Sequence, residues 1–271
     1  MITLFRKLRL QLLNQNKISR YLLYALGEIL LVVIGILIAL QVNTWNEERQ
    51  QKAQVSTYAR ALIGDLQADI NSVKRIAFQA ERAYVSLDSL ANYVRNTPME
   101  ELSNLNLMLL SGNASYRPFS WNRATFQEMK SSGILSFFQN DSLVKKMVNY
   151  EAMTNHLDLD YEEDARLENQ ARAQLGKVVN RNYDRTKGIL RITTPYKEVP
   201  VRIIDFSKTD IYRSLKKQDI DFINADQKLL RESINNYIQL KNEMSVRYSG
   251  ELPSLISDAE QLIDLLEQEI R

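Results

Sequence analysis

The chain of 271 residues contains no cysteine. That excludes disulfides, thiolate metal sites, a cysteine nucleophile and an acylated-cysteine anchor. There is one histidine, so the ordinary catalytic triads and dyads are unavailable, and neither a glycine-rich phosphate loop nor a zinc-protease motif occurs. An enzyme is therefore not the expected reading, and no cofactor is expected. Glycine (8) and proline (5) are scarce, which argues against a turn-rich sheet protein and for long helices. The net charge is only +2, and no basic patch beyond the first residues offers a surface for nucleic acid.

What the chain does have is one long apolar run. From Leu22 to Val42, 14 of 21 residues are Leu, Ile or Val, and at helical rise they cover about 30 Å, the thickness of a bilayer core. Glu28 is the one acid inside the run. A buried carboxylate costs about 2.5–3.5 kcal/mol there, less than the apolar side chains return, so insertion survives it. The rival reading, a cleaved signal peptide, needs small residues at a cleavage site; the exit reads "ALQVNTWNEE" instead, which favours an uncleaved anchor. Arg6, Lys7, Arg9, Lys17 and Arg20 precede the run and "NEER" follows it. The positive-inside rule then puts the N-terminus in the cytoplasm and the rest of the chain outside, with Tyr21, Tyr24 and Trp45 at the two interfaces. Residues 1–20 are a basic segment, either an interfacial helix on anionic lipid or an unstructured tail that sets topology.

Within the span, Glu28, Gly35 and Ala39 fall on one helical face. An acid followed by a small-xxx-small pair suits close contact between spans. Residues 21–45 are thus expected to be a transmembrane helix whose partners are membrane lipid and either a second copy or another inner-membrane protein.

No glycine or proline interrupts residues 65–97, so the helix can continue outward. Ala59, Leu62, Leu66, Ile70, Val73, Ala77, Ala80, Tyr84, Leu87, Ala91 and Val94 recur at spacings of three and four, a heptad with one stutter. Tyr58, Ile63, Ile76 and Leu90 widen the stripe into a bundle face. A short helix opened by Pro98 and closed near Gly112 is expected next, then the loop "NASYRPFSWNR". A second short helix should end at Gly133, and a long one, capped by Asn140 or Asp141, should run to about Tyr183. Residues 188–206 are β-branched with two prolines and read as a small β-hairpin-like insertion. Helix resumes from Ser207, with Ile220, Ile223, Leu230, Ile234, Tyr237 and Met244 on one face, and a last amphipathic helix follows Pro253. The fold class is mainly α: one transmembrane helix, then an elongated helical-bundle domain over 46–271 with that β insertion.

The stretches "FRKLR", "YALGEILLVVIGILIALQVNTWNE" and "TFQEMKSSGILSFFQNDSL" followed by "VNYE" resemble an uncharacterised family of bacterial single-span membrane proteins known only as a domain of unknown function. The resemblance implies an inner-membrane anchor with a helical outer domain, and no activity.

Two clusters remain. "HLDLDYEEDARLE" sets His156 four residues before Asp160, near Glu163 and Asp164. A calcium loop fails because Glu163 stands where glycine is needed and Asn169 where a bidentate acid is needed. One histidine with a few acids is thin for a metal, and the stretch reads as a solvated charged face. Tyr116, Arg117, Phe119, Trp121, Arg123 and Phe126 concentrate in one loop. They suit a partner or ligand patch, or a plug that packs the loop onto the bundle. The function expected from these features is a membrane-anchored scaffold or sensor-like interaction protein. The alternative is a subunit of a channel or transport complex with Glu28 lining a polar path.

Overall fold

The computed structural model describes residues 18–183, 208, 210–218 and 220–270. The first helix, α1 (Ile18–Asn96), runs unbroken for 79 residues, about 120 Å at helical rise. It stays helical because nothing in it breaks a helix: no proline occurs and its lone glycines at 27, 35 and 64 cost only propensity. Every residue from Leu26 to Gln50 is exposed. The apolar part of α1 is long enough to cross a membrane, while the polar residues 43–54 form a bare helical stalk. Burial begins at Val55 and follows the predicted stripe through Ala59, Leu62, Leu66, Ile70, Val73, Ala80, Leu87, Ala91 and Val94, with Ala83 added to it.

Beyond α1 a turn of 3-10 helix covers Met99–Glu101, then come α2 (Asn104–Ser111) and α3 (Ala124–Ser131). A second 3-10 turn, Ile134–Phe137, leads to α4 (Asp141–Leu175). After α5 (Asp210–Lys216), α6 (Gln227–Val246), a π-helical segment Arg247–Glu251 and α7 (Leu252–Glu269) make one continuous returning rod. The rod packs against both α1 and α4. It starts at the end of α1 far from the span and finishes beside Val55.

Two cores result. The distal one gathers Leu87, Leu90, Leu107, Leu157, Leu175, Leu230, Tyr237 and Leu252. The one nearer the span joins Val55, Leu62 and Leu66 of α1 to Phe126, Met129, Leu143, Met147, Leu262 and Leu266.

Several expected boundaries are corrected. Pro98 opens only the 3-10 turn, because Ser103, whose hydroxyl accepts from the Asn106 N–H, caps a separate helix. The long helix ends at Leu175 rather than Tyr183. There the buried Asn104 side chain takes over the next backbone groups: it accepts from the Asn180 N–H at 2.8 Å and donates to the Asn180 carbonyl at 2.9 Å. Ile220 and Ile223 lie outside the helix, which restarts at Gln227 under an Asp226 cap that accepts from Lys228 and Leu229 N–H. Gly133 sits at φ 75°, as its position past a helix end requires. The β-hairpin-like insertion at 188–206 lies outside the described residues, as do residues 1–17; among the described residues there is no strand.

Leu66 is 1% exposed in the span-proximal core. Leu66→Asp should lower the stability of the bundle by about 3 kcal/mol or more, since it both empties the site and buries an unpaired charge. Thermal melting of the detergent-solubilised chain followed by circular dichroism measures it. A melting curve matching the wild type would show that this face is not packed.

Candidate functional site

α1 and α4 run in the same direction with the returning rod against both. The side left between them is filled by the extended segment 113–123, whose attachments are polar at almost every step. The Arg117 N–H donates to the Gln79 side chain at 3.0 Å. The Trp121 indole N–H donates to Asp158 at 2.8 Å and the Arg123 guanidinium to the same carboxylate at 2.6 Å. The Asn122 backbone and side-chain N–H groups both donate to Asp69 Oδ1, at 3.0 and 2.8 Å.

Asp69 is 2% exposed on an otherwise apolar face of α1. Its second oxygen accepts from the Tyr150 hydroxyl at 3.4 Å, so one carboxylate ties α1, the segment and α4 together. Burial pushes its pKa up, although the hydrogen bonds from Asn122 and Tyr150 pull the other way. Tyr150 in turn is held strongly protonated by burial and the neighbouring Asp69.

The aromatic residues of the predicted patch are brought together here. Phe119 stacks on Trp121 with ring centroids 4.9 Å apart, and Tyr116 meets Phe119 and Tyr161 edge-on at 5.9 and 5.5 Å. Tyr116 and Phe126 are buried, and Phe119, Trp121 and Arg123 are half-buried. Arg117 is the exposed member of the six. These rings therefore fasten the segment into its groove. Glu28, Gly35 and Ala39 of the apolar segment are elsewhere, exposed on the unaccompanied part of α1, and a Cβ added at Gly35 would meet nothing within 4 Å.

Next to Tyr116 lies a charged centre that the sequence reading missed. Arg247, 5% exposed, is the first residue of the π segment. Its Nε donates to Asp164 Oδ2 at 3.1 Å, and the Tyr116 hydroxyl donates to the same oxygen at 2.7 Å. Its Nη1 contacts Glu251 and, at 3.3 Å, Asp160; its Nη2 faces Glu243 at 3.9 Å. Burial acts against the guanidinium charge, but Asp164, Glu251 and Asp160 outweigh it and raise the pKa. Asp164 is 3% exposed with Oδ1 lacking a hydrogen-bond partner, and burial raises its pKa against the pull of Tyr116 and Arg247. Removing one partner from a buried pair of this kind costs about 3–5 kcal/mol. His156 stands at the rim, its Nε2 3.3 Å from Asp160 Oδ2 and 3.8 Å from Glu251 Oε1.

The π segment has a geometric cause. Met244 and Leu252 are both fully buried, eight residues apart, and an α-helix would carry the second about 80° past the first. Widening one turn brings them back to one face, with the Leu252 N–H reaching the Arg247 carbonyl. Pro253, which has no N–H to give, follows at once. Such segments recur at functional sites. The only local sequence sign of this one is Pro253 shortly after an arginine in an apolar helix pattern.

Because burial raises the Asp69 pKa, its neutral form is favoured in the fold; the stability it contributes is greatest at low pH and is lost as the pH rises through the folded-state pKa. Asp69→Asn keeps an acceptor for Asn122 and a donor for the Tyr150 oxygen. It should melt at or above the wild-type temperature at pH 7, and the gap should close as the pH falls toward about 4. Melting curves across that range measure it; a variant clearly less stable at pH 7 would mean that the ionised carboxylate is favoured here.

A family model described as "Family of unknown function (DUF6090)" matches residues 28–183. That reach takes in the apolar part of α1 from Glu28, the bundle part of α1, the groove segment and α4, and stops before the returning rod. No curated protein and no solved structure matches the chain.

Proposed function

The chain belongs to this family of unknown function, and from its architecture we propose that it is a single-span inner-membrane protein of bacterial type. Its N-terminus is cytoplasmic and its helical bundle periplasmic, and it acts by interaction, as a scaffold or sensor-like subunit. The observation that carries the reading is the continuity of α1: one helix is both the apolar segment and the longest wall of the bundle. No break lies between them to absorb a twist or tilt, so a partner held by the span and a contact made by the bundle act on the same rigid element. The basic residues before the span support the orientation.

The face formed by Glu28, Gly35 and Ala39 is the contact we assign to the span. Small residues allow backbones to approach, and a carboxylate at that depth is stabilised by a hydrogen bond or a basic group across the interface. The occupant is a second copy or another membrane protein, and the absence of cysteine makes both the orientation and the contact testable.

A single cysteine at the exposed Ser249 should react with an impermeant thiol reagent on intact spheroplasts, whereas one at Ser19 should react only after lysis. The opposite pattern would overturn the orientation.

Gly35→Cys and Ala39→Cys should crosslink in native membranes, to a copy of the chain or to a distinct protein, while cysteines at Val33 and Leu37 on other faces should not. Gly35→Leu should weaken the association that crosslinking reports. Equal crosslinking from all faces, or no effect of Gly35→Leu, would remove the interface. A homogeneous ring of copies with a central opening would support the pore reading instead.

A further inference from the structure

The bundle brings to His156 and Asp160 a third donor that lies 91 residues further along the chain, Glu251 of the π segment. His156 Nε2, Asp160 Oδ2 and a Glu251 oxygen lie within 4.8 Å of one another. We propose that these three side chains form a binding site for a divalent transition-metal ion of the zinc class, which clamps α4 to the returning rod.

The distances suit the ion. A tetrahedral centre with bonds of about 2.0–2.1 Å places its ligand atoms about 3.3–3.4 Å apart. The His156 to Asp160 separation is 3.3 Å and the His156 to Glu251 separation 3.8 Å, and all three donor atoms lie within 4.8 Å of one another, so the Glu251 side chain would draw in to meet the ion. His156 and Asp160 are one helical turn apart on α4, the i, i+4 spacing that presents two donors from one face. An imidazole beside carboxylates selects the zinc class over calcium and magnesium, which take oxygen donors.

Arg247 borders the site, its Nη1 lying 3.3 Å from Asp160 Oδ2. It holds Glu251 through Oε2, while Oε1 is the oxygen turned to His156. Each carboxylate offers lone pairs on both sides, and a hydrogen-bonded carboxylate is the usual state of a metal-ligating one. The guanidinium thus holds Glu251 by the oxygen turned away from His156 and lies against Asp160. Charge points the same way. Asp160, Asp164, Glu243 and Glu251 all contact the one guanidinium, so carboxylates outnumber it at this centre. Asp160 Oδ2, the oxygen turned to His156, is itself buried without a hydrogen-bond partner. A divalent cation removes most of that excess. The His156 side chain is 54% exposed, so a fourth position on the ion would be open to solvent. The site is independent of how the span associates.

The test uses the full chain in detergent, purified without a polyhistidine tag. Titration with zinc, read by calorimetry and by thermal melting, should show one equivalent bound per chain and a rise in melting temperature that a chelator reverses. His156→Ala, at a half-exposed position, should leave the metal-free melting temperature unchanged, weaken zinc binding by at least about tenfold and abolish the rise. Glu251→Gln, checked for retained helicity, should weaken binding likewise. Calcium should give no comparable rise. No saturable binding of one equivalent would overturn the proposal, as would binding that His156→Ala weakens less than tenfold, which would assign the ion to other surface acids.

Discussion

Burial of the α1 stripe is the constraint from which the rest of the bundle follows. The stripe starts at Val55 and ends at Val94, and no single helix of ordinary length can cover it. The chain meets the demand with two rods, one rising beside α1 and one returning the whole distance. The stutter in the heptad keeps the stripe facing the same neighbours over that length. The returning rod faces the matching difficulty, because its apolar spacing slips between Met244 and Leu252, and the π segment resolves it. Arg247 thus sits beside the acids of α4 as a consequence of register.

The third side of the bundle is closed differently. A fourth rod would have been apolar; an extended segment cannot be, because its own backbone N–H groups need partners. Asp69, Gln79 and Asp158 supply acceptors at the positions where the segment passes. Asp69 is thus part of a backbone account, through the Asn122 N–H, as well as an electrostatic one. Asp69 is covered on both oxygens, whereas Asp164 is left with one oxygen unmet. The groove is complete near Asp69, and the charged centre around Arg247 is the place where polar capacity is left over.

Much of this was readable in the residues, in proportion to how local the cause was. The α1 stripe, the Asn140 cap and the left-handed turn at Gly133 depend on neighbours a few positions away, and they appear where periodicity and turn chemistry put them. The end at Leu175 did not, because Asn104 decides it from some 70 residues away; the start at Gln227 is an exception, since its cap, Asp226, is the adjacent residue. The six aromatic and arginine residues of the loop were recognised as a group, and the structure does bring their rings together. The centre at Arg247 was invisible for a simple reason: its ligands come from 116, 160, 164, 243 and 251, and only tertiary packing makes them neighbours. His156 has too few partners in its own stretch to suggest a site, since Glu251 stands 95 positions from it.

The return of the last rod to the level of Val55 has an architectural corollary. Ile270 packs against the same core as Val55, so the bundle is entered and left at one end, like a pendant on a single stem. Such a unit is modular: its entry point is one helical turn of α1, and any helix of the right phase above that turn could carry it. The phase is the strict condition. Adding or removing one residue in the stalk would rotate the whole bundle by about 100° relative to the span, while a change of seven would nearly restore it. Stalk length therefore acts as a dial that sets which side of the bundle looks along the face of Glu28, Gly35 and Ala39.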